Sequence, residues 1–435
     1  MVILEFQKIY LKRAKLEHMG HLVGKDLYRE LGKKIDNLTM RAPWNETLYK
    51  ILKELYSSEE AELAVKMPYG MATLDQIALV TGYNQDRLKF LLEKMAAKGL
   101  VVDVEADGRC RYILSPFVIG IFEFTMMRTG EDADYKKMAG LFNEYLGDRS
   151  FYEANTKGGQ VVSPLRALPH EGTIEAADYV EVLDYEKATA IVEKARRYAI
   201  GICSCRHEKL HTGEKKCDVP LETCSSFDDA ADYLIRHDFA REVSRTEMLE
   251  LLARSKEMGL VFCADNVKKD ITFICHCCSC CCNILLGISR FGYPNVVVTS
   301  NYIARSNTET CSGCGTCVES CPINAIKMSN DNSPEINDSI CIGCGVCALK
   351  CETDSMKLTR RERKVLHPES TFERIILQCL EKGTLQNFIF NNPQNIGHSF
   401  MRSFVGAFLK LPPVKKALMT DMLRSRFLNA MKKAD

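Results

Sequence analysis

Cysteines are the residues in this chain whose type and spacing could do chemistry. There are 21 among 435 residues, and 19 of them lie between Cys203 and Cys351. A disulfide scaffold would spread them along the chain. This distribution concentrates soft sulfur donors, which bind thiophilic metals and carry redox chemistry. Eighteen of these fall into three groups. Cys311-Ser-Gly-Cys314-Gly-Thr-Cys317-Val-Glu-Ser-Cys321-Pro322 recurs thirty positions on as Cys341-Ile-Gly-Cys344-Gly-Val-Cys347-Ala-Leu-Lys-Cys351, so C-x2-C-x2-C-x3-C stands twice. Six more, Cys275, Cys277, Cys278, Cys280, Cys281 and Cys282, crowd into eight residues around His276 and Ser279. Upstream lie Cys203, Cys205, Cys217 and Cys224. Zinc uses C-x2-C pairs but needs no triple step. Disulfides would leave such near neighbours unpaired.

The duplicated motif resembles that of bacterial ferredoxins holding two [4Fe-4S] clusters, over about 301–358. Three thiolates at i, i+3 and i+6 let one tight loop wrap three corners of a cubane. Gly313, Gly315, Gly343 and Gly345 let the backbone turn and approach closely, so that its N–H groups can point at cluster sulfurs. In that family the fourth cysteine ligates the other cluster. The resemblance therefore implies Cys311, Cys314, Cys317 and Cys351 for cluster one, and Cys341, Cys344, Cys347 and Cys321 for cluster two. Glu352 stands where proline is usual, which changes local stiffness and charge but removes no ligand.

The ten central cysteines are candidate additional ligands: Cys203, Cys205, Cys217, Cys224, Cys275, Cys277, Cys278, Cys280, Cys281 and Cys282. Six thiols in eight residues are not core filling. They could serve one or two further [4Fe-4S] clusters, a single cluster with spare thiols, or a substrate-facing dithiol. His207 and His211 lack zinc-finger spacing and read as surface histidines. Cys110 and Cys379 read as isolated structural thiols.

These groups need a frame to position them. Hydropathy and turn residues predict an α+β multidomain chain. Residues 1–43 read as a helical segment, with Leu4, Ile9, Leu11 and Leu16 among basic residues. Within 44–128, helices at Thr47–Tyr56, Leu74–Val80 (capped by Thr73) and Asn84–Lys98 precede strands Leu100–Val104 and Arg109–Leu114, joined around Asp107-Gly108. This order resembles the winged-helix family. Relatives place the second helix of the pair in DNA, but Thr73–Ser115 holds six basic and six acidic residues, so nucleic acid is an unfavoured partner. Residues 129–300 read as a central cysteine-rich α/β domain. Its expected strands are Tyr179–Leu183, Ala199–Cys203, Leu260–Cys263, Ile271–Cys275 and Val296–Thr299. Its expected helices are Tyr185–Tyr198, Phe227–His237 and Ser244–Met258, the last opened by a Ser244/Glu247 capping box. A ferredoxin-like 2[4Fe-4S] domain follows at 301–358, then a basic helical tail at 359–435. Residues 361–435 carry 13 Lys plus Arg against 6 Asp plus Glu, a surface for an acidic partner or peripheral membrane contact.

Overall the net charge is +1, which gives no general attraction to polyanions. No signal peptide or membrane span is expected, and reduced thiols suggest a cytoplasmic setting. No dinucleotide or phosphate-binding glycine motif, serine-nucleophile motif or H-E-x-x-H stands in the sequence. The expected function is iron–sulfur electron transfer to or from a partner oxidoreductase, as a carrier or subunit rather than a stand-alone enzyme. A redox-sensing winged-helix regulator, or a reductase with a cysteine-rich catalytic centre, remain alternatives.

Overall fold

The computed structural model describes residues 25–434 except 107, 131–133, 157–161, 180–182, 293–296, 299 and 363–365. The expected helical positions Leu4, Ile9, Leu11 and Leu16 lie outside the described residues, as does Asp107.

The N-terminal unit begins with helices Lys25–Asp36, Glu46–Leu55 and Ser58–Lys66. The third is absent from the sequence-based expectation. It is fixed by a capping box in which Ser57 and Glu60 satisfy each other's backbone N–H groups. Thr73 and Gln76 form a second box at the start of helix Leu74–Thr81, and Gly82 ends that helix at φ +73°. Helix Gln85–Ala97 then buries Leu88, Leu91, Leu92 and Met95, on the face its periodicity foretold. Strands β1 (Ala72–Thr73), β2 (Val101–Ala106) and β3 (Arg109–Leu114) form an antiparallel sheet in the order β1-β3-β2. Helices Phe122–Met127, Tyr135–Gly147 and Arg149–Thr156 complete the unit. One buried apolar cluster runs through it from Leu27 to Tyr152.

The centre is a seven-stranded sheet in the order β10-β4-β8-β9-β6-β5-β7. Its strands are β4 (Leu165–Leu168), β5 (Tyr198–Ile202), β6 (Glu222–Phe227), β7 (Ala240–Glu242), β8 (Val261–Asp265), β9 (Phe273–Cys277) and β10 (Val297–Val298). Only β10–β4 is parallel. The region therefore has helices and strands interleaved in sequence, but not the parallel sheet that α/β implies. Because side chains alternate along a strand, the two faces differ. Ile274, Phe262, Ala264, Phe227 and Ile200 pack on helices Ala188–Lys194 and Arg245–Glu257. The opposite face carries cysteines.

Three sequence expectations change here. The helix expected over Tyr185–Tyr198 shortens to Ala188–Lys194. Asp184–Glu186 is instead a 3-10 turn, pinned where Asn301 Nδ2 donates to Glu186 Oε1 at 2.7 Å. The strand expected over Tyr179–Leu183 is not seen: Tyr179 ends a short helix, Leu183 precedes that turn, and 180–182 lie outside the described residues. Ser244 caps its helix, but Glu247 turns away to Arg241 at 2.6 Å, so the box is half made.

In the last third, β11 (Tyr302–Ser306) pairs antiparallel with β14 (Met356–Arg360), and β12 (Ile326–Met328) with β13 (Pro334–Ile336). Short helices Thr316–Glu319 and Val346–Leu349 stand at matching places in the two motif copies. The described residues of the C-terminal segment fold into five helices, from Thr371–Lys382 to Asp421–Ala434, around Ile376, Leu377, Leu380, Leu385 and Leu409. Cys379 is buried among them. No helix among the described residues is long and apolar enough to cross a membrane.

Candidate metal centres

The repeated motif builds two partly open cavities. One is lined by Cys311, Cys314 and Cys317 of the first copy and Cys351 of the second. The other is lined by Cys341, Cys344 and Cys347 of the second copy and Cys321 of the first. This inner cavity's remaining walls are apolar, among them Ile326, Ile342 and Leu358, whereas the outer one mixes Met328, Pro334 and Met356 with the hydroxyls of Ser306, Thr316, Thr353 and Ser355. All four motif glycines are left-handed, with φ between +65° and +83°. Gly343 is also tightly enclosed, since a Cβ there would be driven into Tyr302 O and Ser300 Oγ.

The cavities differ in surroundings. Cys341, Cys344 and Cys347 are buried, whereas Cys314 is exposed and Cys311 and Cys351 are half-buried. Burial pushes the Cys344 thiol up to about 12. Burial also acts on Cys351, but hydrogen bonds from Ser355, the Met356 backbone and Thr353 outweigh it and draw that thiol down to about 7. The buried cavity faces the central domain. His170 N donates to Cys344 O at 3.1 Å, Glu175 N donates to Leu358 O at 2.9 Å, and Ile174 bridges to Leu358.

On the cysteine face of the central sheet, Cys224 of β6 and Cys263 of β8 both stand directly across from Cys275 of β9. Three thiols thus lie abreast on neighbouring strands, and Cys277 follows two residues along the same face. Cys203 caps helix Ser204–His211, with Cys205 in its first turn, and Cys282 caps helix Asn283–Phe291. Burial raises the Cys203 thiol well above its ordinary value, and a hydrogen bond with Cys282 together with burial does the same to Cys205. Sulfur contacts run from Cys205 to Cys282, on to Cys277, and from there to Cys263 and Cys275; Cys275 also meets Cys224. Sequence reasoning missed Cys263. It lies apart from the other cysteines in the chain, and its only signal was its place in an expected strand.

The N-terminal unit holds this group in place. Ser204 Oγ donates to Glu123 O at 2.9 Å, and His207 Nδ1 bonds Met126 O at 2.7 Å. His207 is therefore buried, not a surface residue, and His211 rests against it at 3.0 Å. His276 alternates to the other sheet face, where its ring bonds Ser225 Oγ at 2.9 Å and Ser255 Oγ at 2.7 Å. Burial pushes it down to about 3, so it is neutral and satisfied.

The other four central cysteines form a separate knot. Cys217 Sγ lies 3.7 Å from Cys278 Sγ and 3.9 Å from Cys281 Sγ, and Cys280 Sγ lies 3.9 Å and 3.2 Å from the same two atoms. A hydrogen bond from Cys281, reinforced by the Arg206 guanidinium, draws the Cys278 thiol below its ordinary value against its burial. Arg206 is 1% exposed, donates to Thr223 Oγ1 and His276 O, and also faces Cys203 and Cys277. It is a buried cation between the two thiol groups.

With that geometry in hand, comparison with known families is direct. Residues 310–355 match the 4Fe-4S dicluster domain. No curated protein and no solved structure matches the chain. The dicluster domain and the many cysteines indicate iron–sulfur electron transfer. The two cavities fit the clusters of such a domain. Each gathers four thiols, three from one motif copy and one from the other.

Proposed function

We propose that the protein relays single electrons between redox partners through [4Fe-4S] clusters in its dicluster domain and a further iron–sulfur centre on the central sheet. In the domain, Cys311, Cys314, Cys317 and Cys351 would hold the outer cluster, and Cys321, Cys341, Cys344 and Cys347 the inner one. The further centre draws on Cys203, Cys205, Cys224, Cys263, Cys275, Cys277 and Cys282, which offer more thiols than the four corners of a cubane need. Such clusters, when bound, take up and release one electron with little rearrangement.

One observation carries this reading. Cys263, Cys277 and Cys282 of the central group and Cys317, Cys341, Cys344 and Cys347 of the dicluster domain belong to a single buried apolar cluster. The thiol sites therefore share one dry interior. That interior runs from the sheet, past the buried inner cavity, to the outer cavity at exposed Cys314. The chain's own residues exclude water along this line, and Arg206 offsets negative charge at its inner end.

The winged-helix reading of the N-terminal unit is supported by the β1-β3-β2 sheet and by the capped helix pair. Four of the six cations over Thr73–Ser115 are paired internally: Arg87 to Glu59, Lys89 to Glu93, and Lys94 and Lys98 to Glu60. Leu79 and Phe90 are exposed instead. This favours a protein partner over phosphate contacts.

The test is iron and sulfide analysis with EPR on anaerobically purified full-length protein. About twelve irons per chain are expected, about eight of them from the dicluster domain. Cys275→Ser should remove about four and leave the dicluster signals. About eight irons in the parent protein would sink the further centre, and fewer than about eight the whole reading.

A further inference from the structure

We propose that Cys217, Cys278, Cys280 and Cys281 form a mononuclear tetrathiolate site for Zn2+, separate from the iron–sulfur centres. The argument is one of size. Four sulfurs bonded tetrahedrally to one ion at about 2.3 Å stand ~3.8 Å from one another. The four Sγ atoms here all lie within 4.8 Å of one another, with separations of 3.7, 3.9, 3.9 and 3.2 Å between neighbours. Around a cubane, four irons and four sulfides stand between the thiolates and hold them apart. No other set of three or more cysteine, histidine or carboxylate ligands is drawn this close among the described residues, the two dicluster quartets included. The same fold thus builds wide cradles in one place and a tight tetrad in another.

The surroundings suit a closed structural site. Val219 and Leu260 pack on the tetrad, Cys278 and Cys281 are buried, and Cys217 and Cys280 are half-buried. All four ligands are protein thiols, which leaves no open position for a substrate. Thiolate ligands and the order of divalent affinities favour zinc over ferrous iron. Binding would release thiol protons to solvent and leave a dianionic complex beside the Arg206 guanidinium.

Zinc here would tie the loop bearing Cys217 to the turn that links β9 to helix Asn283–Phe291. Cys277 immediately precedes the three clustered ligands of that turn, and Cys282 immediately follows them. Both point into the neighbouring group of seven thiols. The ion would therefore brace two ligands of the further iron–sulfur centre. That bracing role rests on the function proposed above, whereas the zinc site itself does not.

The experiment is elemental analysis and zinc-edge X-ray absorption on full-length protein purified without added metal. About one zinc per chain, with four sulfur neighbours at about 2.3 Å and no iron in the next shell, is expected. Cys280→Ser should lower zinc content roughly tenfold while the dicluster irons remain. The absorption measurement needs no variant, so a misfolded mutant leaves the test intact. Zinc below about a tenth per chain, zinc bound through nitrogen or oxygen, or mononuclear iron in its place would each overturn the proposal. Protein with zinc but no iron would sink the electron-relay reading and leave this one standing.

Discussion

Alanine placed at three motif glycines separates backbone strain from steric exclusion. Gly315, Gly313 and Gly343 all hold left-handed backbone, at φ +77°, +65° and +65°, so each alanine incurs about 1–2 kcal/mol for that conformation. Their surroundings differ. Nothing lies within 4 Å of a Cβ at Gly315. At Gly313 the Cβ would meet Asn332 O at 2.9 Å, in an exposed turn that can yield. At Gly343 it would collide with Tyr302 O and Ser300 Oγ. Tyr302 is 1% exposed in β11, and Ser300 Oγ is tied to Gly343 O at 2.9 Å. Overpacking of that kind adds about 1–3 kcal/mol. Expected losses are therefore about 1 kcal/mol for Gly315→Ala, about 2 for Gly313→Ala and about 3–5 for Gly343→Ala. Anaerobic denaturant titration, followed by loss of the sulfide-to-iron absorption, should rank the variants in that order. Gly343→Ala should also purify with iron depleted by about four atoms, those of the inner cluster. A Gly343→Ala protein as stable as Gly315→Ala, with full iron, would refute the reasoning.

Arg206→Met should strip or destabilise the proposed central iron–sulfur centre while the dicluster EPR signals persist, since removing a buried counter-charge costs about 3–5 kcal/mol; iron counting checks it. Glu60, 0% exposed, accepts from Lys98 Nζ at 2.9 and 2.7 Å, and Glu60→Gln should cost about 2 kcal/mol in urea unfolding. Burial would raise the Glu60 carboxyl, but Lys98 and Ser57 outweigh it and hold it below its ordinary value of 4.5. Its contribution is therefore complete above that pH and fades as pH falls through the lowered folded value, so parent and Glu60→Gln stabilities should converge in acid. Asp103 ties the N-terminal sheet to the central domain through Arg236 at 2.5 Å and His237 at 2.6 Å. Asp103→Asn should cost about 2 kcal/mol and raise proteolytic cleavage between the two.

Much of this architecture was legible because local signals agreed with the final packing. Thr73, Gly82 and Asn84 punctuate two helices where capping chemistry requires, and the Asp107-Gly108 pair separates two strands that do pair. The crossed sharing of cysteines between the two cavities was implied by the duplicated motif through its family resemblance. What stayed hidden depends on partners distant in sequence. β4, β6 and β7 are too short or too polar to announce themselves, yet β6 carries Cys224 into line with Cys275. Cys263 joins that line only through strand register. The division of the ten central cysteines could not be read from spacing, because Cys277 and Cys278 are adjacent in the chain and belong to different groups. His207 reads as a surface residue until Met126 and Tyr135 close over it.

A ferredoxin unit hung on a linker can be exchanged as a cassette; this one is inlaid. Cutting near 300 and 359 would bare Tyr302, Ile303 and Leu358, each at most 3% exposed, and would open the wall shared with Cys263 and Cys277. A transplanted fragment would carry that raw apolar flank into water, and the donor left behind would lose one side of its own thiol chamber. The two parts therefore close a single folded interior between them.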